Sequence, residues 1–69
     1  MPMITIEFNG EMSQVDEKST VSDLLRLSKI ESRFCAVELN FEIVPKEQYD
    51  AKSLASGDKI EVVTLVGGG

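Results

Sequence analysis

Histidine and tryptophan are absent from these 69 residues, and cysteine occurs once. A lone cysteine closes no intramolecular disulfide, and without histidine it builds no zinc site. A general acid–base centre is equally hard to assemble without an imidazole. Basic clusters are missing too. The 7 Lys and Arg are scattered singly among 12 Asp and Glu, for a formal net charge of −5. Nucleic acid and anionic membranes demand positive patches, so neither is an expected partner. Apolar runs extend only a few residues, too short for a membrane-spanning helix. The opening MPMITIEF lacks the basic start and apolar stretch of a secretory signal. Together with the single thiol, that points to a cytoplasmic protein.

What remains must fold by packing alone. A chain this short buries only about 60% of its unfolded surface, which allows one domain. The apolar share, 42%, is too high for a disordered chain and sufficient for a small core.

Residues 4–8, ITIEF, alternate strictly, placing Ile4, Ile6 and Phe8 on one face. Asn9-Gly10 follows, the pair best suited to a type I′ turn because both positions tolerate positive φ. EMSQV then returns as a second strand. Thr20 is a helix cap, with Asp23 three residues on, where an acid can reach back to the free amides. Val21, Leu24 and Leu25 form the apolar stripe. Leu27 lies off that stripe, and the helix is expected to end near Lys29. FCAVEL, residues 34–39, reads as a third strand with Cys35, Val37 and Leu39 inward. Asn40 and Phe41 turn the chain, and EIV is a short strand stopped by Pro45, hence at an edge. KEQYDAKSLASGD is irregular with one helical turn, and Gly57-Asp58 leads into the last strand, KIEVVTLV. This order predicts an α+β domain in which one helix covers one face of a mixed sheet of four to five strands.

At this point the chain resembles the ubiquitin-like β-grasp family and, within it, the sulfur carriers of thiamine biosynthesis (ThiS-type). The resemblance spans essentially the whole chain. It rests on the Asn9-Gly10 hairpin, TVSDLL opening the helix, VELNFEIVPKEQY in the middle and SGDKIEVVTLVGGG at the end. It implies a β-grasp domain over residues 1–66 and a flexible glycine tail over 67–69. It further implies that the protein is not an enzyme but a co-substrate of enzymes, with no cofactor or metal of its own. An E1-like adenylyltransferase (ThiF-type) would use ATP to adenylate the carboxylate of Gly69. Sulfur from a cysteine desulfurase would replace the AMP, and the thiocarboxylate would go to a thiazole synthase (ThiG-type). Alternatives stay open: the small subunit of molybdopterin synthase with the same tail chemistry, a ubiquitin-like protein modifier, or a β-grasp interaction module that never reacts.

Physical chemistry supports such a use of the Gly67-Gly68-Gly69 arm. A carboxylate is a poor electrophile until an anhydride gives it a leaving group, and the activating site must exclude water while this happens. Glycine has no Cβ to widen the channel. Three extended residues reach about 10 Å. Ordering each one opposes association by about 1–2 kcal/mol, so the folded body must contribute docking contacts. Alternation in the last strand turns Ile60 and Val62 toward the helix and Val63 and Leu65 outward. Val63, Leu65 and Val66 are thus the expected docking patch, with Thr5, Ala36 and Glu38 as neighbours on the same face. Cys35 reads as a core residue, as do Phe41 and Tyr49. The carboxylates read as a solvated surface that steers basic partners.

Overall fold

A computed structural model describes residues 2–64 of the chain. Strand β1, Met3–Phe8, turns through Asn9 (φ 49°) and Gly10 (φ 86°) into β2, Glu11–Asp16. The two pair antiparallel, from Met3 opposite Asp16 to Phe8 opposite Glu11. Helix α1 covers Val21–Leu27. Strands β3, Cys35–Leu39, and β4, Glu42–Val44, form a second hairpin, and β5 covers Lys59–Thr64. The sheet order is β2-β1-β5-β3-β4, with β5 parallel to β1 and antiparallel to β3. This is the mixed two-layer α+β arrangement expected, with all five strands present.

The core lies between sheet and helix. Ile6, Val37 and Ile60, from the three central strands, are fully buried, as are Val21 and Cys35, and Leu24 and Leu25 of α1 join them. Burying each such side chain contributes roughly 1.5–3 kcal/mol. Because every one sits at an alternate strand position or on one helical stripe, the opposite sheet face has no layer over it within the described residues.

A helix of seven residues is marginal by itself, since nucleation is costly. Here its free amides are taken up one by one. The Val21 amide donates to the Lys52 carbonyl at 2.9 Å and that of Ser22 to Tyr49 at 3.0 Å. Thr20 and Asp23 form a reciprocal capping box, the Asp23 amide donating to Thr20 Oγ1 at 3.2 Å and the Thr20 amide to Asp23 Oδ2 at 3.0 Å. That backbone hydrogen bond, more than any other influence, holds the Asp23 carboxyl below its ordinary pKa. Residues 45–58 are therefore the helix's cap rather than slack: Tyr49 and Leu54 are buried, and Ser53 bridges Thr20. A 3₁₀ turn at Lys46–Gln48 supplies the expected helical turn.

Three expectations need correction. Helix α1 ends at Leu27, not near Lys29. The amides of Lys29 and Ile30 fold back onto the carbonyls of Arg26 and Leu25, with Lys29 at φ 59°. That is a Schellman ending, which stops a helix two residues earlier than polarity suggests. Phe34 belongs to a 3₁₀ turn at Ser32–Phe34, not to the third strand, because its amide closes on the Glu31 carbonyl. Phe41 is not core: it is 75% exposed at the tip of the second hairpin. Tyr49 and Cys35 are buried as expected, and burial pushes both their pKa values up. A raised thiol pKa keeps Cys35 protonated and unreactive.

Candidate functional site

The expected reactive arm, Gly67, Gly68 and Gly69, lies outside the described residues, as do Leu65 and Val66 of the docking patch. The structure does place the strand that leads to them. Strand β5 runs through the middle of the sheet, and two asparagines hold it, one at Lys59 and one at Val62. At its start, the Lys59 amide donates to Asn40 Oδ1 at 2.9 Å, and Asn40 Nδ2 donates to Asp58 Oδ1 at 2.9 Å. Asp58 in turn accepts from the Ala55 amide at 2.7 Å, closing the turn that feeds the strand. Gly57, at φ 88°, supplies the left-handed position there.

Strand β1 ends at Phe8, which is paired with Ile60. Beyond it the Asn9 side chain takes the place of a strand: the Val62 amide donates to Asn9 Oδ1 at 2.8 Å, and Asn9 Nδ2 approaches the Val62 carbonyl at 3.4 Å. Satisfying both backbone groups of a central strand keeps β5 straight past the end of its neighbour. Asn9 was legible only as a turn residue, because its partner is 53 positions away.

Alternation is as expected. Ile60 and Val62 are buried and Val63 is 61% exposed on the uncovered face. Ala36 lies opposite Val63, and Glu38 lies opposite Glu61 on one side and Ile43 on the other. Ala36 and Glu38 are therefore neighbours of Val63, as expected. Thr5 is not. It shares the face, but Glu7 pairs with Lys59, which sets Thr5 back at the Gly57 end, where its carbonyl accepts the Gly57 amide at 2.8 Å. Ile43, 68% exposed and opposite Glu38, stands on the same face, as its alternation with buried Val44 indicates.

Lys59 is a cation on this face, with its Nζ 3.8 Å from Glu7 and 5.0 Å from the Phe41 ring centroid. Among the described residues, no group of three or more metal-ligating side chains comes together. No described helix is long and apolar enough to cross a membrane. What the described residues offer here is an open sheet face on which Ala36, Glu38, Ile43, Glu61 and Val63 come together.

This architecture is a ubiquitin-like β-grasp, a mixed five-stranded sheet packed on one helix. The ThiS family profile matches residues 5–69. Over 65 residues the chain is 37% identical to the sulfur carrier protein ThiS of Bacillus subtilis, covering 93% of this chain and 98% of that one. A crystal structure of the thiamine biosynthesis protein ThiS from Geobacter metallireducens superposes with a TM-score of 0.81 at 35% identity, over 96% of this chain and all of that one. A thiazole synthase of Paramagnetospirillum magneticum is 44% identical over 61 residues; the match takes in 88% of this chain but only 19% of that protein. The chain belongs to the ThiS family of ubiquitin-like sulfur carriers.

Proposed function

We propose that this protein carries sulfur for thiazole formation in thiamine biosynthesis as a thiocarboxylate on Gly69, in the cytoplasm. The observation that carries the reading is the family match, which continues through the glycines to Gly69 itself. In the first step a carboxylate oxygen of Gly69 bonds to the α-phosphorus of ATP, bound on an E1-like adenylyltransferase, and pyrophosphate leaves. In the second, the outer sulfur of a persulfide charged by a cysteine desulfurase bonds to the carbonyl carbon, and AMP departs with the anhydride oxygen. A thiol then attacks the inner sulfur of the resulting acyl disulfide: the S–S bond breaks, a new disulfide forms, and Gly69 keeps the outer sulfur as the thiocarboxylate. ATP is thus the partner's co-substrate, and this chain contributes the acyl group.

The chain's own residues have a division of labour that supports this. The body presents the open sheet face, while Asn9 and Asn40 hold the strand that precedes the tail in the sequence. Thiazole synthase is the consumer this reading favours. The resemblance of this domain to a segment of a thiazole synthase chain supports a direct relationship between the two.

The test is the intact mass after incubation with ATP, the adenylyltransferase, the desulfurase, cysteine and a thiol reductant. One oxygen should be exchanged for sulfur, mapped by fragmentation to Gly69 and absent from a chain lacking Gly69. Mapping separates this from oxidation of the 3 methionines, which gives nearly the same shift. Subsequent loss of the sulfur to thiazole synthase, and not to molybdopterin synthase, assigns the branch. An unchanged mass with demonstrably active partners refutes the carrier reading.

A further inference from the structure

The uncovered sheet face contains an arrangement that folding alone does not favour. Glu38 on β3 stands directly opposite Glu61 on β5. Like charges facing each other across two strands destabilise a sheet. Neither carboxylate belongs to any of the three ion pairs among the described residues. The nearest cation along the strand, Lys59, is shared between Glu7 and the Phe41 ring.

Apolar side chains surround the two acids. Ala36, Ile43 and Val63, with Glu38 and Glu61, line a shallow groove of about 80 Å³. Ile43 and Val63 stand exposed on its rims. That volume is far below the roughly 300–1,000 Å³ of a small-molecule site. It suits the end of a single side chain entering from another protein.

Charge and shape together define that side chain. It must carry an apolar stem to lie on Ile43, Ala36 and Val63, and a cationic head to face two carboxylates at once. Lysine brings a stem but only a compact point charge. Arginine brings a planar fork whose several donors can engage both acids, and its stem packs along apolar surface. We propose that the groove between Glu38 and Glu61 receives an arginine of the activating partner, and that this contact is the polar anchor of docking.

The proposal rests on the carrier reading and deepens it. The groove is built on the strand that leads to the tail, with Glu61 eight residues before Gly69. A fully extended chain spans at most about 28 Å over that length. The arginine head must therefore lie within roughly that distance of the partner's adenylation pocket. The chain's net charge of −5 would steer it toward such a basic surface.

The experiment titrates ¹⁵N-labelled full-length chain with the E1-like adenylyltransferase and measures tail adenylation in parallel, for wild type and the E38Q/E61Q double variant. In the wild type, amides of Ala36, Glu38, Ile43, Glu61 and Val63 should shift on adding the enzyme. The double variant should raise KM for the chain at least tenfold while kcat stays within about twofold, and the dependence of KM on salt should flatten. Its melting temperature should stay equal or rise, because a repulsion has been removed; this separates a recognition role from a structural one. Conversion to E38R/E61R should raise KM further.

An unchanged KM and salt dependence in E38Q/E61Q, or absence of shifts in the groove on enzyme binding, overturns the proposal. So do groove shifts that follow the chain's own concentration without enzyme, which would make a second copy the occupant. A wild type whose groove shifts with enzyme but whose mass never changes refutes the sulfur chemistry and leaves the groove assignment standing.

Discussion

Two hairpin turns with nearly the same backbone differ in one residue. Asn9-Gly10 joins β1 to β2 at φ 49° and 86°, and Asn40-Phe41 joins β3 to β4 at 51° and 70°. In each, the asparagine does more than accept a left-handed conformation: its side chain reaches across to bind a backbone amide of β5, at Val62 and at Lys59 respectively. The second positions part company. Gly10 has no Cβ and meets no strain, whereas Phe41 holds a conformation that costs an L-residue about 1–2 kcal/mol and is exposed besides. The comparison teaches that turn chemistry is obeyed where only the turn is at stake. It is broken where the side chain has a further contact, here the Lys59 ammonium over the Phe41 ring.

The largest effect should come from Asn9→Ala, which strips the clamp where β5 outruns β1 and removes a residue suited to φ 49°. A loss of about 2 kcal/mol is expected by urea unfolding, from the hydrogen bond to the Val62 amide and the left-handed preference together. Asn40→Ala should cost less, about 1 kcal/mol, because its bonds to Lys59 and Asp58 are exposed to water. If the two losses are equal, the Asn9 clamp is no stronger than an ordinary turn bond.

Lys29 offers another left-handed position, at the helix end, where its side chain makes no hydrogen bond or ion pair among the described residues. Lys29→Gly should therefore stabilise by about 1 kcal/mol, raising the melting temperature by roughly 4–8 °C. The smallest change is expected for Phe41→Gly, within about 0.5 kcal/mol of wild type. Relief of strain there is offset by loss of a cation–π contact worth about 0.5–1 kcal/mol and by glycine's greater freedom when unfolded. A double-mutant cycle with Lys59→Met should then return a coupling of about 0.5 kcal/mol. No coupling would mean that Phe41 is simply a strained, idle residue, and the lesson drawn from the two turns would fail.

Acid should act through the capping box. The Asp23 pKa is lowered on folding, mainly by its bond from the Thr20 amide. Its contribution is thus fully present above the ordinary carboxylate pKa and lost as pH falls through the lowered one. Asp23→Asn should flatten the acid limb of the stability–pH curve over that window.

Elements whose pattern is local were legible. ITIEF alternates because one side of β1 meets the helix; Thr20 and Asp23 cap because the free amides lie within three residues; Val63 faces out because Val62 faces in. Phe41 was misplaced because an aromatic is ordinarily worth more buried, and its outward stance follows from a turn geometry that a one-dimensional pattern does not weigh. Thr5 was placed beside the patch because face is set by parity alone, whereas distance along the face is set by the register of β1 against β5.

The sequence by itself determined the elements, their inward faces and the family to which the chain belongs, because each of these follows from spacings of a few residues. It also carried the glycine arm and its expected chemistry. Only the tertiary structure decided which side chains meet on the open face: Glu38 against Glu61, Ile43 and Val63 as the rims between them, Asn9 holding Val62. Those meetings depend on strand order and register across separations of tens of residues, and a shift of one residue in pairing would carry each of these side chains to the opposite face.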